Sequence, residues 1–255
     1  MSGTVTPLKP RSVRDQVSAG EWDARVDLAA CYRLVARMDL IYTHISMRVP
    51  GPEHHFLINP YGLMFDEVTA SSLVKVDLDG KIVMDTPYSF NPAGFTIHSA
   101  VHAAREDAMC VLHTHTAAGM AVAAQKGGLL PISQHAMRFH DRISYHDYEG
   151  IALDLDERER LVADLGDTYA MILRNHGLLT CGRSVAEAFT IMFYLQKACE
   201  AQIAAMSSGA ELAMVPPDVA EHAAQQFERG GEKSASRPWQ ALLRTLDRED
   251  TSYRD

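Results

Sequence analysis

The chain has 255 residues, 47% of them hydrophobic and 22% charged, enough to bury a substantial core in one large domain or a domain with appendages. No apolar stretch approaches the ~20 residues that a membrane-crossing helix needs, so no membrane partner is expected. A net charge of -9, without any run of lysines or arginines, argues against nucleic acid.

The start, Met1 to Arg14, carries Pro7, Pro10 and scattered charge but no apolar core, so it does not read as a secretory signal. Cys31, Cys110, Cys181 and Cys199 have no paired spacing. Buried free thiols in a reducing cytoplasm are the expectation.

In chain order, Glu21 to Leu40 has the apolar spacing of a helix. Short alternating segments follow, His44 to Val49 and Phe56 to Pro60, and Val74 to Val83 reads as a hairpin turning at Asp79-Gly80. A loop from Thr86 to Gly94 leads to a helix, Phe95 to Arg105, and then to an apolar strand ending in His113-Thr114-His115-Thr116. Ala117 to Ala124 is helical, Leu129 to Ser133 and Ile143 to Tyr148 read as strands, and Asp156 to Leu165 as a helix. Strands over Tyr169 to Arg174 and Leu178 to Cys181 follow. Ser184 to Glu187 forms a capping box for a long helix reaching about Met206. Helices over Asp218 to Arg229 and Trp239 to Asp247 complete the chain, separated by a polar gap. Strands joined by both hairpins and helices predict an α/β layered domain with a mixed or antiparallel sheet. Residues 21–210 are taken as that domain, 1–20 as an N-terminal arm and 211–255 as a helical C-terminal extension.

Eight of the twelve histidines fall between His98 and His176. A strand ending in His-x-His, with a second strand ending at His176, can bring His113, His115 and His176 to one point. Three imidazoles with an open position suit a metal that does chemistry. Alternation would send His113 and His115 to opposite faces unless the strand ends there, and a new helix does begin at Thr116-Ala117. Gly177 suggests a tight bend that exposes His176. His98 and His102 share a helix face, with His98 expected inside and His102 at the surface. His135, His140 and His146 are candidate acid/base or substrate groups, and His44 has no evident partner.

Four segments, His113-Thr-His115, Gly128 to Ser133, Tyr145 to Gly150 and Leu173 to Leu178, resemble the class II aldolase/adducin head-domain family, most closely its adducin-like bacterial branch. The likeness runs from about Trp22 to Met206. It implies a three-layer α/β/α fold around a largely antiparallel central sheet, and homo-oligomers, commonly tetramers. It also implies that His113, His115 and His176 hold Zn2+ or another divalent ion, Fe2+, Mn2+ or Co2+. In the sugar-phosphate enzymes of the family such a metal polarises the substrate carbonyl, and a carboxylate on the preceding helix moves the proton. The carboxylate position matches Gly94, and the phosphate-binding serines match Pro92 and Ala93. The phosphate-binding Gly-Asn matches Thr43-His44.

The resemblance therefore implies a metal-dependent carbon-carbon lyase, aldolase-like or decarboxylase, acting on a small unphosphorylated hydroxy-carbonyl or carboxylate compound. His98, His135, Tyr145 and His146 are the candidates to replace the carboxylate. A decarboxylase needs no base to abstract a carbon-bound proton, because loss of carbon dioxide forms the enolate directly. Two alternatives stand beside it: a non-haem iron oxidative enzyme, and a non-catalytic adducin-like binding or scaffold domain.

Overall fold

A computed structural model describes residues 12–39, 43–150, 156–229 and 233–255 of the chain. Seven strands form one mixed sheet in the order β3-β2-β1-β4-β7-β6-β5. They are β1 (His44–Arg48), β2 (Phe56–Ile58), β3 (Val74–Val76), β4 (Cys110–Thr114), β5 (Ser144–His146), β6 (Ala170–Leu173) and β7 (Gly177–Gly182). Every neighbouring pair is antiparallel except β5 with β6.

Helices cover both faces, because the strands alternate apolar residues to either side. Ile45, Cys110, Leu112, Ile172 and Leu178 pack with α1 (Ala19–Val35), α3 (Ala117–Ala123) and α6 (Val185–Ser207). Val111, Met171, Leu173 and Leu179 pack on the other side with α2 (Pro92–Ala104) and α5 (Glu157–Leu165). The expected three-layer α/β/α arrangement around a largely antiparallel sheet is therefore what the chain adopts. On α1, the buried Tyr32 hydroxyl accepts from the backbone N–H of Ile45 at 2.7 Å and of Asn59 at 3.2 Å, tying that helix to β1 and to the residue after β2.

Several boundaries differ from expectation. Asn91 caps α2 by accepting from Ala93 N–H at 3.2 Å, and Pro92 opens the helix, so the helix begins within the predicted loop. Leu129 to Ser133 is not a strand. Pro131 has no N–H, and Leu129 and Leu130 donate to side chains, the Tyr145 hydroxyl at 3.1 Å and Gln202 Oε1 at 2.7 Å. A short helix, α4 (Gln134–Met137), follows. The return limb of the predicted hairpin keeps a single bridge, Val76 to Ile82.

At the N-terminus of α6, Ser184 accepts from Glu187 N–H at 3.2 Å, but the Glu187 carboxylate reaches Arg183 N–H at 2.7 Å rather than Ser184. After α7 (Pro217–Glu228), α8 (Lys233–Glu249) starts before the predicted Trp239 and carries Pro238 inside it. Trp239, Leu243, Leu246 and Tyr253 are buried in the same core as α1 and α6.

Candidate metal centre

Strand β4 ends at Thr114, and the Thr116 hydroxyl accepts from Gly119 N–H at 3.2 Å to open α3. His115 thus lies between strand and helix, free of the alternation that governs His113. Its backbone N–H donates to Asp39 Oδ2 at 2.7 Å, which fixes the turn. His176 comes from the three-residue connection of the β6–β7 hairpin, where Leu173 pairs with Gly177.

The left-handed residue of that connection is Asn175, at φ 57°, not the glycine. Gly177 is required for another reason. A Cβ there would lie 2.4 Å from the Thr114 carbonyl oxygen and 3.0 Å from the His115 ring. The hairpin can bring His176 against the end of β4 only because that side chain is missing.

The three imidazoles converge, with one ligand nitrogen from each lying within 4.8 Å of the others. His113 Nδ1 donates to the Leu178 carbonyl at 2.8 Å, so in the neutral ring Nε2 is a bare lone pair turned into the site. His113 Nε2 and His115 Nε2 are 2.8 Å apart. Two ligands of a tetrahedral ion with bonds of ~2.0–2.1 Å are roughly 3.4 Å apart, which falls between these values. Burial keeps all three rings neutral: the pKa of His113 lies well below its ordinary value, that of His115 is lowered, and that of His176 falls to about 4. Neighbouring histidines add to the lowering at His113 and His176. Three neutral nitrogen donors, one held in its tautomer by a backbone carbonyl, fit a divalent cation.

The triad opens into a cavity of about 260 Å³, walled by the start of α2 at Asn91, Ala93 and Gly94 and by Tyr148 and His44. Among the described residues, no aspartate or glutamate lines it. Residues 26–203 match the family model of the Class II Aldolase and Adducin N-terminal domain. The chain belongs to that family.

An aldolase II superfamily protein from Pseudomonas syringae is 59% identical, with a TM-score of 0.91 over 96% of this chain and 100% of its own. L-fuculose 1-phosphate aldolase from Glaciozyma antarctica is 26% identical, with a TM-score of 0.80 over 98% and 97%. Mouse alpha-adducin is 46% identical over 265 residues, 96% of this chain but only 36% of the adducin.

In this class II aldolase/adducin domain, none of the four candidate replacements for the carboxylate lines the triad cavity. His98 is fully buried behind it, with Nδ1 2.6 Å from the Ser46 hydroxyl. His102, expected at the surface, is buried beside the same hydroxyl, Nε2 at 2.7 Å. His135 lies on α4 against the Tyr194 ring, 4.9 Å between centroids. The Tyr145 hydroxyl accepts from Leu129 N–H, and the Arg174 guanidinium stacks 4.6 Å from its ring. His146 is buried between carboxylates, 2.7 Å from Asp164 and 3.4 Å from Glu157.

Outside the triad, the histidine that lines the cavity is His44, in the Thr43-His44 pair that matches the family's phosphate-binding Gly-Asn. Its contact with α2 had only a non-local signal. Polar residues at 44, 46 and 48 give β1 one polar face, and 94, 98 and 102 recur at helical spacing to meet it.

Proposed function

We propose that this protein is a divalent-metal-dependent carbon-carbon lyase, aldolase-like or decarboxylase, acting on a small unphosphorylated hydroxy-carbonyl or carboxylate compound. The observation that carries the reading is the convergence of His113, His115 and His176, three neutral nitrogen donors, at the floor of an open cavity. When bound, the ion supplies Lewis-acid polarisation of a substrate carbonyl, with zinc favoured by the all-nitrogen donor set. The name of the Glaciozyma antarctica relative supports carbon-carbon bond cleavage.

A small substrate suits a cavity of about 260 Å³. An unphosphorylated one suits a wall in which Ala93 and Gly94 offer no side-chain hydrogen bond. With no carboxylate on that wall, decarboxylation is the chemistry least hindered, because it dispenses with proton abstraction from carbon. We carry a homo-oligomeric, cytoplasmic protein, tetramer favoured, as part of this proposal. No described helix is long and apolar enough to cross a membrane.

A non-catalytic binding domain is the second reading, favoured by the 46% identity to mouse alpha-adducin. Metal analysis of protein purified without added metal separates the two, with His176→Ala as control. About one divalent ion per chain, lost in the variant, is the expected result, followed by turnover of a keto or hydroxy acid that the variant lacks. Protein that retains no metal, or that matches His113→Ala across a broad substrate screen, favours the binding domain.

A further inference from the structure

Strand β1 turns Ile45 toward α1 and sends His44, Ser46 and Arg48 to the face covered by α2. Helix α2 presents Gly94, His98 and His102 to that face, each one turn after the last. The two columns interlock. His98 and His102 flank the Ser46 hydroxyl, and Arg48 donates to the His102 carbonyl.

Gly94 meets His44 so closely that a Cβ would lie 2.3 Å from His44 Nδ1 and 2.4 Å from Cε1 and Cγ. The His44 ring therefore occupies the space in which a side chain at position 94 would begin. Either residue can fill it, and not both.

The hydrogen bonds behind His44 determine one another's direction. The Ala108 carbonyl can only accept, so His102 Nδ1, at 3.1 Å, carries its ring's proton. Burial lowers the pKa of His102 to about 3, so the ring is neutral and Nε2 is an acceptor. Ser46 has one hydroxyl proton and gives it to His102. Ser46 must then accept from His98 Nδ1–H, which leaves His98 Nε2 as a lone pair. That atom is buried without a hydrogen-bond partner. The His98 ring lies edge-on to His44, 5.9 Å between centroids.

We propose that His44 is the substrate-facing group of this site in place of a side chain at position 94, and that the Ala108–His102–Ser46–His98 chain fixes the tautomer and orientation of the His98 ring that packs edge-on against it. The substrate-facing role rests on the lyase reading. The exchange between positions 44 and 94 is a property of the metal-free protein.

The first test is a thermal double-mutant cycle without metal. Gly94→Ala alone lowers Tm by about 3–10 °C, the usual consequence of overpacking in a chain of this size. In a His44→Ala background the same change is near neutral, and His44→Ala/Gly94→Glu folds. Equal losses in both backgrounds overturn the exchange. Two-bond 1H–15N spectra of the metal-free protein should report His98 as the Nδ1–H tautomer and His102 likewise. An Nε2–H tautomer at His98 overturns the positioning chain.

The third arm uses acetohydroxamate as probe on Co2+-loaded protein, read by the visible absorption of the ion. His44→Ala should bind it roughly 10-fold more weakly at unchanged Co2+ affinity, with His44→Gln between the two. Wild-type affinity in both variants overturns the substrate-facing role. A wild-type protein that takes up no metal removes the lyase reading, and the thermal cycle then decides the exchange by itself.

Discussion

Two histidine clusters lie side by side behind β1 and β4, one open and one closed. In the closed cluster, His98 and His102 share the Ser46 hydroxyl, and the Ala108 carbonyl sets the direction of the whole chain. In the open one, His113 gives its proton to the Leu178 carbonyl and turns its other nitrogen toward His115 and His176. Residue type is the same in the two, although His98 and His102 are fully buried and His115 and His176 only partly so. What differs is what the ring nitrogens meet: the Ser46 hydroxyl in one, a cavity in the other. A histidine's role here is set by the partners of its nitrogens.

Removing one ring from each cluster should separate the roles. His113→Ala is expected to weaken binding of a divalent ion by more than about 100-fold, the upper end of what loss of an outer-shell partner costs. Titration with a competing chelator reads this directly. Wild-type affinity in the variant would mean that the convergence of the three rings holds no ion. Ser46→Ala should do the reverse. It leaves a buried donor on His98 and a buried acceptor on His102 unpaired, at about 1–3 kcal/mol each, with ion affinity unchanged. Urea unfolding followed alongside the chelator titration measures both quantities in one preparation.

How much of this contrast could be read from the chain depends on the distance in sequence over which each contact forms. The triad was legible because its parts are local: His-x-His at the end of an apolar run, a helix beginning at Thr116, and a three-residue bend before Gly177. The layered fold was legible for the same reason, since alternation and helical spacing are local periodicities. The resemblance placed position 44 near the site, but the packing of His44 on Gly94 was not legible, because it joins a strand to a helix fifty positions away. His102 was misplaced to the surface because the strand whose hydroxyl it meets is equally distant. Leu129 to Ser133 looked like a strand because it is apolar, yet its N–H groups were claimed by Tyr145 and Gln202. The early start of α2 was there to read in Asn91-Pro92, a cap followed by proline at the first helical position.

The closed cluster also predicts a pH dependence in the metal-free protein. Burial first, then neighbouring charge from Arg48, lowers the pKa of His102 from 6.5 to about 3. Burial, aided by His44 and His102, holds that of His98 well below 6.5. The unfolded chain therefore takes up protons near pH 6.5 that the native state refuses. Stability is greatest above about pH 6.5 and falls as pH drops toward 3, by up to ~1.4 kcal/mol per pH unit for each histidine. Urea midpoints measured between pH 7 and 5 should show a shallower slope in His102→Asn than in wild type. Equal slopes would mean that His102 takes up its proton in the fold as readily as in the unfolded chain, and the protonated ring would reverse the hydrogen-bond directions assigned to Ser46.

The smallest effect belongs to the mouth of the open cluster. Tyr148 walls the cavity with its ring 6.3 Å from that of His176, yet it is 55% exposed. A side chain so exposed contributes little to folding, so Tyr148→Ala should stay within about 0.5 kcal/mol of wild-type stability. The same modest energy, applied to a ligand held under the ring, corresponds to about twofold weaker binding. Most of that change should appear as faster release, since related complexes differ chiefly in their off-rates. Stopped-flow measurement with acetohydroxamate on the Co2+ protein resolves the two rates. A slower on-rate with unchanged release would instead make Tyr148 part of the entry path. A loss of ion affinity would place its ring among the supports of His176, and the open cluster would then owe its geometry to the cavity wall as well as to β4 and the β6–β7 hairpin.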